Sequence, residues 1–67
     1  MELRVNGHDM ELSMQEAHIQ HLIEHLHMTH RIVIVEHNGT IVPKHKYEAT
    51  TIMNGDRIEI VHFVGGG

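Results

Sequence analysis

Three Asn-Gly pairs, at residues 6–7, 38–39 and 54–55, divide this chain and restrict what it can become. Both residues tolerate positive φ, so each pair marks a tight turn. The flanking segments read as strands. Met1, Leu3 and Val5 alternate with Glu2, Arg4 and Asn6, the pattern of a half-buried strand. Met10 and Leu12 alternate with Glu11, so segment 1–13 is predicted to be a hairpin. Residues 32–37 are rich in β-branched side chains and predict a third strand, followed after Asn38-Gly39 by a short strand over 40–42. Pro43 stops it, because proline cannot donate to a ladder. Residues 44–53 read as an irregular crossing segment with a short turn of helix. After the turn at Asn54-Gly55-Asp56, residues 58–64 form the last strand, apolar at nearly every position, as in a central strand covered on both faces.

Between the first two turn pairs lies one helical pattern. Ser13 and Glu16 have the spacing of a capping box, which predicts the helix start there. Ile19, Leu22, Ile23 and Leu26 make one apolar stripe that should lie on the sheet. Thr29, His30 and Arg31 close the segment, with basic side chains at the negative end of the helix dipole.

The predicted order is β-β-α-β-β-β. A hairpin, a helix crossing its face and a late strand in the middle of the sheet describe a β-grasp: an α+β fold with a mixed sheet and one main helix packed on one face. With 67 residues there is room for one core, which we place at 1–64, with a flexible C-terminal glycine tail over 65–67. The chain has no cysteine, which excludes disulfides, Cys-based zinc sites and cysteine nucleophiles. A net charge of −4 supplies no basic stripe for nucleic acid. No segment reads as a signal peptide or membrane span, so a cytoplasmic protein is expected.

Several pieces together resemble the sulfur carrier proteins of thiamine synthesis, the ThiS family, which have a ubiquitin-like β-grasp fold. They are Val33-Ile34-Val35, Asn38-Gly39, Ile41-Val42-Pro43, Gly55-Asp56 leading into Ile58-Glu59-Ile60-Val61, and the ending Val64-Gly65-Gly66-Gly67. The helix departs most from the family's usual pattern, because it carries many histidines. The resemblance implies that an adenylating, E1-like enzyme uses ATP to activate the carboxylate of Gly67. A persulfide sulfur donor then replaces the adenylate and leaves a thiocarboxylate, which donates its sulfur to thiazole synthase. No cofactor is expected to stay bound, and the free carrier is expected to be monomeric.

The residue types suit that chemistry. Adenylation supplies the leaving group that a carboxylate lacks, so the carrier needs no acid, base or nucleophile besides Gly67. Gly65, Gly66 and Gly67 have no Cβ, so a partner's backbone can close around the acyl carbon and the tail can thread a narrow channel.

Two other features point to partners. One side of the sheet packs on the helix; Glu59, Val61 and Phe63 alternate onto the other, joined by Ile34 if Glu36 points outward. An open apolar patch on a small protein marks a partner site, and Phe63 would grip the partner just before the tail. His62 belongs to the helix-facing set with Ile58, Ile60 and Val64, and we read it as structural. Of nine histidines, His18, His21 and His25 share a helix flank, and His21 and His25 at i, i+4 have chelating spacing. Three exposed imidazoles read first as a solvated face, and no physiological metal site is expected.

Two other functions compete with the sulfur carrier of thiazole synthesis. The small subunit of molybdopterin synthase shares the fold and tail chemistry but delivers sulfur to a pterin precursor, and such proteins are usually somewhat longer. A histidine-rich metal-binding module would make the tail incidental. No catalytic constellation is visible, so an enzyme ranks last.

Overall fold

A computed structural model describes residues 1–63; Val64 and the glycines Gly65, Gly66 and Gly67 lie outside the described residues. Seven strands and one α-helix follow in the order β1 (Glu2–Val5), β2 (His8–Glu11), β3 (Ala17–His18), α1 (Ile19–His25), β4 (Val33–His37), β5 (Thr40–Val42), β6 (Thr51–Ile52) and β7 (Arg57–His62). A single 3₁₀ turn spans Lys44–Lys46. Five strands form the main sheet in the order β2-β1-β7-β4-β5, and β3 pairs with β6 in a separate ladder. The last strand lies in the centre, as its composition predicted, parallel to β1 and antiparallel to β4. Only one face of it is covered: Ile58 and Ile60 are buried, whereas Glu59 and Val61 are exposed. His62 follows the buried pair in alternation and is half-buried.

The core fills the space between the sheet and α1. Leu3, Val35, Val42, Ile58 and Ile60 face Ile19, Leu22 and Ile23, with Tyr47 and Ile52 closing the side. Burial pushes the Tyr47 phenol up from its ordinary pKa. Leu26 packs against this core half-buried at the helix end.

Two turn pairs behave as expected. Asn6 and Gly7 have φ of 51° and 80°, and Asn38 and Gly39 have 50° and 87°, the left-handed values that a two-residue hairpin turn of type I′ requires. The third pair differs. At Asn54-Gly55 only Gly55 is left-handed, and the Asp56 N–H bonds back to the Met53 carbonyl at 3.0 Å, as in a type II turn. That turn joins strands of different sheets. The three asparagine side chains also tie strand to strand. Asn6 Oδ1 accepts from the Ile60 N–H, Asn38 Oδ1 from Arg57 and Asn54 Oδ1 from Glu2, at 2.7, 2.8 and 2.7 Å.

The helix start differs from expectation. Ser13 and Glu16 are exposed and lie outside the helix. Ala17 and His18 stay extended to pair with Ile52 and Thr51, and the Ile19 N–H goes to the Thr50 carbonyl at 3.0 Å. This tertiary pairing buries Ala17 and delays the helix until Ile19. The reciprocal spacing reappears at His18 and His21: the His18 N–H donates to His21 Nδ1 at 2.9 Å. Substitution His21→Ala is therefore expected to cost about 1 kcal/mol through the lost cap, and Ser13→Ala to fall within the error of a chemical-denaturation midpoint. A destabilised Ser13→Ala variant would restore the earlier start.

The helix also ends sooner than Thr29–Arg31. His27, at φ 57°, adopts the left-handed conformation after Leu26. Its N–H bonds to the Glu24 carbonyl, and the Met28 N–H bonds to the Ile23 carbonyl, both at 3.0 Å. This is a Schellman ending with histidine at the position that usually holds glycine. Segment 44–53, expected to be irregular with a turn of helix, contains the 3₁₀ turn and also β6.

At the end of β7 away from the tail, Asp56 clasps three elements. His37 Nε2–H donates to Asp56 Oδ2 at 2.6 Å, the Met53 N–H to the same oxygen at 2.8 Å, and Asn38 Nδ2 to Oδ1 at 3.1 Å. Burial, the largest single influence, works to raise the Asp56 pKa, but the hydrogen bonds from His37, Met53 and Asn38 together outweigh it and hold the carboxyl below its ordinary value. A carboxyl lowered on folding stabilises the fold above its unfolded pKa of about 3.9 and loses that contribution as pH falls through the folded value. Asp56→Asn should cost on the order of 1–2 kcal/mol at neutral pH. Stability measured against pH should then fall less steeply below about pH 4 in the variant than in the wild type. Parallel profiles would show that Asp56 does not drive the acid loss.

Candidate functional site: the open sheet face beside the tail

The outer face of the sheet gathers the residues predicted to bind a partner. Val35 is buried, so its neighbours Ile34 and Glu36 point away from the core. Ile34 stands directly opposite Val61 across the β4–β7 ladder, and Glu36 opposite Glu59. Glu59 is exposed, and Ile34, Val61 and Phe63 are 43%, 57% and 56% exposed. Phe63 follows β7, its N–H held by the Ile32 carbonyl at 3.2 Å. The central strand thus ends beside an exposed aromatic side chain. Gly67 is four residues further on.

The sequence reading missed Ile41. It is 63% exposed on β5 and in register with Glu36, while its neighbour Val42 turns inward. Three residues of strand between a turn and a proline are too few for alternation to assign a face. Ile41 extends the patch across a third strand. The pairing Glu36–Glu59 places like charges side by side, which costs stability in the free protein.

The histidine flank is dispersed. His18 precedes the helix, His18 and His21 are half-buried with ring centroids 5.1 Å apart, and His25 is exposed. His21 Nδ1 is occupied by the backbone. Among the described residues, no three His, Cys, Asp or Glu side chains are placed to hold one metal ion. No described helix is long and apolar enough to cross a membrane.

A small mixed sheet with one helix, a central last strand and an exposed apolar stretch on its outer face defines a β-grasp protein. A model of the ThiS family matches residues 3–67, and the chain belongs to that family. It is 42% identical over 65 residues to the sulfur carrier protein ThiS of Bacillus subtilis, covering 97% of this chain and 98% of that one. It is also 39% identical, over its whole length, to 20% of a thiazole synthase of Paramagnetospirillum magneticum. The crystal structure of the thiamine biosynthesis protein ThiS from Geobacter metallireducens superposes with a TM-score of 0.85 at 32% identity, each chain covered completely.

Proposed function

We propose that this chain is a cytoplasmic sulfur carrier for thiazole formation in thiamine biosynthesis, with the Gly67 carboxylate as its working group. The observation that carries this reading is the end-to-end similarity to a sulfur carrier protein, with all but 2% of that relative covered. An E1-like partner joins the carboxylate to AMP from ATP, releasing pyrophosphate. A persulfide sulfur attacks the acyl carbon and expels AMP. A partner thiol then cleaves the S–S bond, which leaves a thiocarboxylate for thiazole synthase to consume. The carrier contributes the terminal carboxylate and its delivery; the catalytic groups belong to the partners. Similarity to a segment of a thiazole synthase supports that enzyme as acceptor, since the same unit occurs there in one chain with it.

Geometry supports a grip on the outer face. Four fully extended residues reach at most about 14 Å, so a partner that holds the Gly67 carboxylate comes within that distance of Phe63. Ile34, Ile41, Val61 and Phe63 offer it apolar area, and Glu36 and Glu59 call for an arginine or lysine opposite them. Intact mass spectrometry of the protein recovered from cells that lack the acceptor enzyme, grown with thiamine withheld after a pre-culture, tests the reading. The expected result is a population heavier by the difference between sulfur and oxygen, located in the C-terminal peptide. A population confined to the carboxylate form, with the acceptor enzyme deleted so that the sulfur form accumulates, would refute it.

A further inference from the structure

Between the end of α1 and the 3₁₀ turn lies a cleft of about 180 Å³. Its construction follows from two turns. The Schellman ending carries the chain from α1 to Met28, and the Arg31 N–H then closes on the Met28 carbonyl at 3.1 Å. Facing it, the Tyr47 N–H closes on the Lys44 carbonyl, and the Tyr47 carbonyl accepts the Gln20 N–H, each at 3.1 Å. Ile23 and Tyr47, both core residues, lie at the base; Met28 and Ile32 line the walls; Arg31 and Lys44 are exposed beside it.

The volume is below the ~300 Å³ at which small-molecule pockets begin, so the cleft suits one anchoring side chain of a larger partner. The charge is unusual for this protein. Nine Asp and Glu outnumber five Lys and Arg. Arg4 lies 3.7 Å from Asp9; among the described residues Arg31, Lys44, Lys46 and Arg57 have no acidic group within salt-bridge distance, and of these Arg31 and Lys44 line the cleft. Two cations thus flank an apolar cleft whose described lining holds no acidic side chain, on an acidic protein; Glu48 shares the adjoining groove with Lys44. Two are too few for a phosphate backbone, whose binding draws on many neutralised phosphates, and the net charge of −4 opposes it.

We infer that this cleft is a second docking site, for a partner-protein segment that presents a carboxylate beside an apolar anchor. It complements the outer face. There the exposed apolar residues surround Glu36 and Glu59 and suit a basic partner; here they lie beside Arg31 and Lys44 and suit an acidic one. The Ile32 carbonyl that holds Phe63 belongs to a cleft residue, so both surfaces adjoin Phe63. A carrier that passes its tail between two enzymes can tell them apart by charge. The purpose rests on the carrier reading; the binding is read at Met28, Arg31, Ile32, Lys44 and Tyr47.

The test is a nitrogen-15 NMR titration of the full chain with a short acetylated and amidated peptide of alternating leucine and glutamate. Its lysine-for-glutamate counterpart and a single-stranded oligothymidylate serve as comparisons. The glutamate peptide should give saturable shifts at Met28, Arg31, Ile32, Lys44 and Tyr47. The double variant Arg31→Glu, Lys44→Glu should weaken it at least about tenfold; both side chains are exposed, and a thermal melt with Arg31→Gln, Lys44→Gln as a second variant separates charge from folding. Shifts centred on Ile34 and Val61, no saturable shifts, unchanged affinity in both variants, or equal shifts with oligothymidylate would each overturn the proposal. None of these outcomes touches the thiocarboxylate measurement, so the two readings can fail separately.

Discussion

Deletion of Gly67 is expected to abolish ATP–pyrophosphate exchange by the adenylating partner, by more than about 100-fold. Removing one residue leaves a carboxylate on Gly66, but that group stands about 3.5 Å short of the nucleotide when the sheet is docked. A misplacement of 1 Å already costs about 100-fold when the reacting atoms must approach closely. The docking face is untouched, so the truncated chain should still bind the enzyme and compete with the intact carrier. The readout is isotope exchange between labelled pyrophosphate and ATP, with purified enzyme and each form of the carrier. Exchange at the wild-type rate would remove Gly67 from the mechanism. The same deletion separates the carrier from a histidine-based metal module, whose metal affinity would not change.

Phe63→Ala tests recognition apart from chemistry. The side chain is exposed and lies outside the buried core, so the melting temperature should stay near that of the wild type. The variant keeps its glycines and its carboxylate. Affinity for the adenylating enzyme, measured by titration calorimetry, should fall by about 2 kcal/mol, roughly 30-fold, the usual scale for an aromatic anchor at an interface centre. Val61 and Ile34, directly opposite each other on the same face, should show smaller losses as alanine variants. Unchanged affinity would move the docking surface elsewhere. A strong drop in stability would mean that Phe63 is held by contacts beyond the sheet face.

Much of the outer face was legible because strand alternation is strict. Once Ile58 and Ile60 are assigned inward, Glu59, Val61 and Phe63 must point outward, and Ile34 follows from Val35. Ile41 was not legible, because its strand is too short to show a period. The cleft was not legible either: its cations come from residues 31 and 44, and its base from residues 23 and 47, brought together only by packing.

The chain's local chemistry by itself determined the two hairpins, the existence of one helix and the composition of its buried stripe. Asn-Gly pairs adopt left-handed conformations at little cost, and apolar residues at helical spacing have only one face to bury. The limits of the helix and the conformation of the third Asn-Gly pair were decided by tertiary structure. The Ser13–Glu16 cap is a local interaction worth about 1 kcal/mol. Pairing Ala17–His18 with Thr51–Ile52 satisfies backbone groups and buries Ala17 and Ile52 in the core, and so it prevails. The β3–β6 ladder joins segments more than thirty residues apart, a contact that no local pattern in either segment announces.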